Sequence, residues 1–170
     1  MILGYKSFNR NFTNRYGLKF SVGMTYKACG EIRFGVLGNG FHMCSNMEDT
    51  FRYFDSFSDD IVVCEVIGSG ENITYNDEYN GYYDMYAVET LTIVRKLERE
   101  EIIKIGQQMT EYRVIRFVQG FKMTLEEIKL FEDKFSNNQN VLDAIAYYQK
   151  GQLDVYNYSP KKLVRKKNEE

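Results

Sequence analysis

The single histidine of the 170 residues lies in Gly38-Asn39-Gly40-Phe41-His42-Met43-Cys44-Ser45-Asn46-Met47-Glu48-Asp49, beside one of three cysteines. Any chemistry that uses an imidazole therefore belongs to this stretch. His42 and Cys44 stand at i and i+2, on one face of a short strand, where a base and a thiol could cooperate. A thiol close to a helix N-terminus has its pKa lowered, which makes Cys44 a candidate reactive group. Ser45 and Glu48 have the spacing of a capping box and predict a helix from about Ser45 to Phe54. A strand aimed at such a helix start also offers backbone amides to an anion or phosphate. Glu65 is embedded in Ile61-Val62-Val63-Cys64-Glu65-Val66-Ile67 and needs a cation, for which Lys6 or Arg52 would serve. Zinc needs four clustered ligands, and one histidine with isolated cysteines at 29, 44 and 64 does not supply them, so no metal site is expected.

The elements that position these groups change character near residue 98. Ile2–Phe8 reads as a first strand, Asn9–Tyr16 as a polar loop and Leu18–Tyr26 as extended chain. Glu31–Val36 predicts another short strand ahead of the Gly38–Gly40 turn. Met47, Phe51 and Phe54 at i, i+4 and i+7 give the helix after Ser45 one buried stripe. Ile61–Ile67 is apolar on both faces, as a central strand must be, and Gly68-Ser69-Gly70 is expected to end it. Ala87–Leu97 alternates as a closing strand. Beyond it, Glu98–Met109 predicts a helix, Tyr112–Phe117 a strand, Thr124-Leu125-Glu126-Glu127 a second capping box, and Val141–Lys150 a last helix stopped by Gly151. The expected class is α+β: a mixed, mostly antiparallel β core over residues 1–97 with one capped helix. A mostly helical appendage over 98–158 and a basic, disordered tail over 159–170 complete the chain.

Between the last two strands of the core, residues Glu71–Tyr86 read as a long polar loop. From Glu71 to Asp84 it carries four carboxylates (Glu71, Asp77, Glu78, Asp84) and four tyrosines (Tyr75, Tyr79, Tyr82, Tyr83), with no basic residue. Carboxylates with interleaved rings can mimic a nucleic acid, the charges entering a basic groove and the rings replacing stacked bases.

The strings Gly4-Tyr5-Lys6-Ser7-Phe8, Val22-Gly23-Met24-Thr25-Tyr26, Asn39-Gly40-Phe41-His42-Met43-Cys44 and Glu65-Val66-Ile67-Gly68 resemble an uncharacterised small domain found in phages and bacteria. The resemblance covers roughly residues 1–97 and implies a phage or prophage setting without an established activity. The order Tyr5-Lys6-Ser7, Gly40-Phe41-His42-Met43-Cys44-Ser45 and Ala87-Val88-Glu89-Thr90-Leu91 is also similar to the ADP-ribosyltransferase-like fold. That likeness implies NAD as cofactor, with Tyr5, Lys6, Phe41 and Ser45 binding it and Glu89 and His42 catalytic. Glu89 would stabilise the oxocarbenium-like centre on the nicotinamide ribose. Lys6 stands where that fold carries arginine, Met43-Cys44-Ser45 where it carries Ser-Thr-Ser, and Ala87 where many members have a second Glu or Gln.

Composition narrows the functions. A net charge of −2 argues against a dedicated nucleic-acid binder. No stretch approaches the roughly 20 apolar residues of a membrane span. The odd cysteine count, with no apolar leader at the N-terminus, predicts a cytoplasmic protein with reduced thiols. Fourteen tyrosines and 12 phenylalanines with no tryptophan suit a recognition surface, and equally the codon bias of an A/T-rich genome. Three classes of function follow. The first is a phage-type effector that transfers ADP-ribose from NAD to a host macromolecule. The second is a non-catalytic inhibitor of a host-defence, anti-CRISPR-type nucleoprotein, docking on a nucleic-acid-handling host protein through the acidic tyrosine-rich loop. The third is an accessory structural protein.

Overall fold

The computed structural model describes residues 1–14, 17–34, 38–54, 61–75 and 85–150. Five strands, β1 (Ile2–Asn9), β2 (Thr25–Lys27), β3 (Phe41–Cys44), β4 (Ile61–Tyr75) and β5 (Met85–Lys96), are followed by four helices. These are α1 (Arg99–Gln107), α2 (Glu111–Gly120), α3 (Leu125–Lys134) and α4 (Gln139–Ile145), the last running into a π-helical turn at Ala146–Lys150. The class is α+β, and every pairing between these strands is antiparallel.

Pairing runs from β1 to β4, from β4 to β5, from β5 to β3, and back to β1 through the Tyr5–Cys44 pair. The sheet thus closes into a small four-strand ring, with β2 added to β5 beyond β3. Closure removes the open edges at which a flat sheet would invite further pairing. It also brings backbones together where only glycine fits. A Cβ on Gly4 would lie 2.4 Å from the Cys44 carbonyl oxygen and 2.7 Å from the Met43 methyl.

Phe8, Met43, Cys64, Val66, Val88, Leu91 and Ile93 fill the ring, and Phe20 reaches in from the loop after β1. The Phe20 ring lies 4.9 Å from Phe8 and 4.8 Å from Tyr26. A second core joins Met47, Phe51, Val63 and Leu97 to Val114, Phe117, Val118, Ile128, Phe131, Val141 and Ile145 of the helices. β4 serves both cores, with Cys64 and Val66 facing the ring and Ile61 and Val63 facing the helices. That explains its apolar sequence on both faces.

Several sequence expectations need correction. No capping box forms at Ser45: a six-residue 3-10 helix, Glu48–Tyr53, follows an uncapped Met47. The Ser45 hydroxyl goes to the Tyr86 hydroxyl instead, and the Glu48 carboxylate to Arg113. Met47 and Phe51 are nevertheless buried as their spacing requires. Gly68-Ser69-Gly70 does not end β4; it sits at an irregularity in the β4–β5 register, where Gly70 takes a φ of 76°. Tyr112–Phe117 is not a strand but the middle of α2. Val114, Phe117, Val118 and Phe121 at i, i+3, i+4 and i+7 bury one helical face, and this overrides the β-propensity of Val-Ile. Of the extended segment Leu18–Tyr26, only Thr25 and Tyr26 lie in a strand. In Glu31–Val36, Ile32 makes an isolated parallel bridge to Asn39, and residues 35 and 36 lie outside the described structure. The Thr124–Glu127 box forms as expected, and Glu98–Glu101 makes a second one. Gly151 and the tail 159–170 fall outside the described residues.

Candidate functional site

Of the residues expected to bind NAD and act on it, Lys6 and His42 are in contact, and the others take different partners. Glu89 lies on β5 at the level of the β4 irregularity. Its Oε2 accepts from the Glu71 amide at 3.1 Å and its Oε1 meets Lys27 Nζ at 3.1 Å. That amide, followed by Lys27, holds the Glu89 carboxyl below the usual range. Lys6 is half-buried, its Nζ donating to the His42 carbonyl at 2.5 Å and lying 5.7 Å from the Phe8 ring centroid. Burial pulls its pKa down to about 8, partly offset by the Cys44 side chain. Phe41 packs on the ring core beside Tyr26 and Phe20. Ser45 donates to Tyr86 at 3.3 Å. Tyr5 points the other way, toward the helices, where burial and then Glu65 raise its pKa.

Cys44 departs from the reactive thiol its sequence position suggested. It is buried, and desolvation, followed by Asp49, pushes its pKa up to about 12. The six-residue 3-10 helix beyond it provides no aligned helix start to offset that burial. Glu65 pairs neither with Lys6 nor with Arg52. Arg95, its partner across β5, grips it with two hydrogen bonds of 2.8 and 2.9 Å and reaches Glu101 at 2.8 Å.

His42 belongs to a shelf of rings. Phe34 stacks on it with centroids 5.3 Å apart and planes at 22°, and Tyr75 closes on Phe34 at 5.5 Å. His42 and Ile73 both pair with Ala87 of β5, so the small Ala87 lies between them across the sheet. Next along, the Tyr53 hydroxyl donates to Met85 Sδ at 2.6 Å, and Arg52 lies over the Tyr53 ring at 5.7 Å. Tyr53, Tyr75 and Ile73 are 48%, 44% and 37% exposed. Sequence reading found His42 and Tyr75 but missed Phe34, Tyr53, Ile73 and Met85. Tyr53 carried a signal, being an aromatic off the buried Met47–Phe51 stripe; Phe34 carried none. Of the expected partner-binding residues, Glu71 and Tyr75 lie in the outer part of β4 and not in a loop, while Asp77, Glu78, Tyr79, Tyr82, Tyr83 and Asp84 fall outside the described residues.

A charged seam, also missed, joins the ring to the helices. The fully buried side chains of Glu48 and Asp49 are met by Arg113 and Arg116, one turn apart on α2. Arg113 takes Glu48 through two hydrogen bonds, of 2.5 and 3.0 Å. Arg116 pairs with Asp49, whose other oxygen accepts from Asn46 at 3.3 Å. Burial, more than any charge, raises the Asp49 pKa.

A family model described as a domain of unknown function (DUF7666) matches residues 2–105, more than half of the chain. The chain belongs to that family. The matched span holds all five strands, the 3-10 helix and the first seven residues of α1, and so contains the ring, the aromatic shelf and the acidic half of the seam. No curated protein and no solved structure matches the chain. No described helix is long and apolar enough to cross a membrane.

Chemically, the DUF7666 ring offers two different things. Its shelf presents stacked, partly exposed rings able to take a flat or cationic group. Its rim carries a carboxylate, Glu89, already engaged by a lysine and a backbone amide.

Proposed function

We propose that this chain is a binding protein that docks, through the outer β4–β5 arm and the aromatic shelf at its base, on a basic, nucleic-acid-handling partner. In a phage or prophage setting that partner is a host-defence nucleoprotein, which the chain inhibits. One observation carries the reading: Tyr75, exposed and packed against Phe34, which in turn stacks on His42, is the last residue of β4. From there the sequence continues into the acidic, tyrosine-rich residues 76–84. Rings held in place at the base of an acidic segment suit a groove built for stacked bases and phosphates. The competing reading, ADP-ribosyl transfer from NAD by Glu89, is disfavoured by the engagement of that carboxylate with Lys27 and the Glu71 amide.

The test is affinity capture from host lysate with the wild-type chain and with a variant changing Glu71, Asp77, Glu78 and Asp84 to amides and Tyr75 to Ala. Capture of a nucleic-acid-handling protein, weakened by salt and lost in the variant, is expected. The same protein captured by the variant, or none captured by the wild type, rejects this reading. Calorimetry with NAD separates the alternative: saturable binding, with transfer abolished by Glu89→Gln, would make the chain a transferase.

A further inference from the structure

We infer that the free edge of the outer β4 arm holds its partner by strand addition, taking an extended, basic segment alongside Ile73 and Tyr75. The inference rests on the docking reading above for the partner's basic character and names how the arm grips it. β1 covers one edge of β4 from the Asn9–Ile61 pair to the Ile2–Gly68 pair and stops there. β5 continues along the opposite edge as far as Tyr75. Among the described residues, no strand lies along the first edge beyond Gly68. Residues 70–75 are exposed throughout. The ring that closes the rest of the sheet leaves this stretch open.

The backbone of β5 fixes which groups that edge offers. The Ile93 amide donates to the Met24 carbonyl at 3.0 Å, the Ile93 carbonyl accepts from Gly23 at 2.7 Å, and the Glu89 carbonyl accepts from Ala28 at 2.8 Å. Odd-numbered residues of β5 thus point away from β4, and alternation turns Tyr86 and Val88 toward it. Their partners Thr74 and Asn72 therefore bond to β5. Ile73 and Tyr75 are left with their N–H and C=O groups facing outward, at strand spacing, and their exposed side chains give an added strand an apolar surface. The irregularity between Ser69 and Asn72 takes Glu71 out of this row, its amide going to Glu89 Oε2 at 3.1 Å. Open edges are ordinarily guarded by shortness, lysine or proline. β2 has only three residues and Lys27, whereas residues 71–75 contain neither lysine nor proline. Their one charge is Glu71. A second copy of the chain would bring the same acid to the same edge, and like charges across a strand pair oppose association. A basic segment meets that acid favourably, while main-chain hydrogen bonds supply affinity and alternate side chains specificity.

The probe is the peptide acetyl-Lys-Val-Lys-Val-Lys-Val-amide, added to the full chain and followed by amide hydrogen exchange in nuclear magnetic resonance spectra. In the free protein the Ile73 and Tyr75 amides should exchange faster than those of Asn72 and Thr74. Saturation with the peptide should slow Ile73 and Tyr75 about tenfold and leave Asn72 and Thr74 unchanged. The same peptide N-methylated at every residue keeps its charge but has no backbone donors. It should bind about tenfold more weakly, as should the peptide with glutamate in place of lysine. Ile73→Pro removes an outward amide and no β4–β5 bond, so it should abolish the protection at Tyr75, while Ile73→Ala keeps it. Slow exchange at Ile73 in the free protein, no protection on adding the peptide, or equal affinity for the N-methylated peptide would overturn the inference, whether or not Ile73→Pro folds. Lysate capture decides the docking reading separately. A captured partner that leaves Ile73 and Tyr75 unprotected sinks strand addition alone; protection by the peptide with no partner captured sinks the docking reading alone.

Discussion

At the residue scale, Lys6 is a base in a poorly solvated place whose hydrogen bond goes to a neutral carbonyl. Burial lowers its folded pKa from 10.5 to about 8. For a base with a depressed pKa the unfolded chain binds the extra proton, so stability rises with pH between about 8 and 10.5. Lys6→Met removes the charge and keeps the aliphatic stem. It should stabilise the protein at pH 7 by about 1–3 kcal/mol. Urea melts of both proteins from pH 7 to 10 should show the difference shrinking as pH rises; a constant difference would mean that Lys6 titrates normally. The cysteines give a second check. Burial pushes Cys44 and Cys64 up to about 12, while Cys29 is exposed. The folded protein should release colour rapidly from one thiol with a disulfide reagent at pH 8, and from all three in denaturant. Spacing made Cys44 the candidate thiol, but its surroundings come from β1 and β5, far away in sequence, which no local pattern reports.

At the element scale, the ring closes because β1 lies against β3 with nothing between them at Gly4. Gly4→Ala puts a methyl within 2.4 Å of the Cys44 carbonyl oxygen, an overlap that only backbone movement relieves. Overpacking of this kind costs about 1–3 kcal/mol, and here it falls on the contact that completes the ring. Thermal unfolding should report the loss, with hydrogen exchange of the β3 amides accelerating more than that of the β4–β5 pair. Equal acceleration everywhere would place the strain elsewhere. The strands were legible where alternation or a doubly apolar run marked them, as in β1, β4 and β5. The bulge at Ser69–Asn72 was not, because glycines that end a strand and glycines that kink one look alike in sequence. In α2, Val114, Phe117 and Val118 carry the helical period that the strand expectation for Tyr112–Phe117 passed over, and Arg113 and Arg116, three residues apart, share a face only in a helix, where they meet Glu48 and Asp49.

At the scale of the whole molecule, the change of texture near residue 98 marks a switch from strands to helices, while apolar side chains on both sides of it share one core. Met47, Phe51, Val63 and Leu97 precede the switch, and Phe117, Phe131 and Ile145 follow it. Two buried ion pairs cross the same boundary, and Arg116 with Asp49 is the drier of them, the arginine being 10% exposed and the aspartate 0%. Arg116→Met should fill the arginine's space with apolar atoms yet leave a carboxylate buried without its cation. Breaking a buried pair from one side costs about 3–5 kcal/mol. Asp49 already has a raised pKa through burial, and Arg116 is the first influence holding it down. Removing the arginine should therefore raise it further. An acid whose folded pKa lies above its unfolded value favours the folded state at low pH and loses that advantage as pH rises through the folded pKa. The deficit of Arg116→Met relative to wild type should consequently be larger at pH 7.5 than at pH 5, measured by denaturant melts. Because the pair joins the 3-10 helix to α2 across a common core, tyrosine fluorescence and far-ultraviolet dichroism should shift together in that variant. A pH-independent deficit, or loss of helical signal with the ring still folded, would show that Asp49 does not tie the two layers into one cooperative unit.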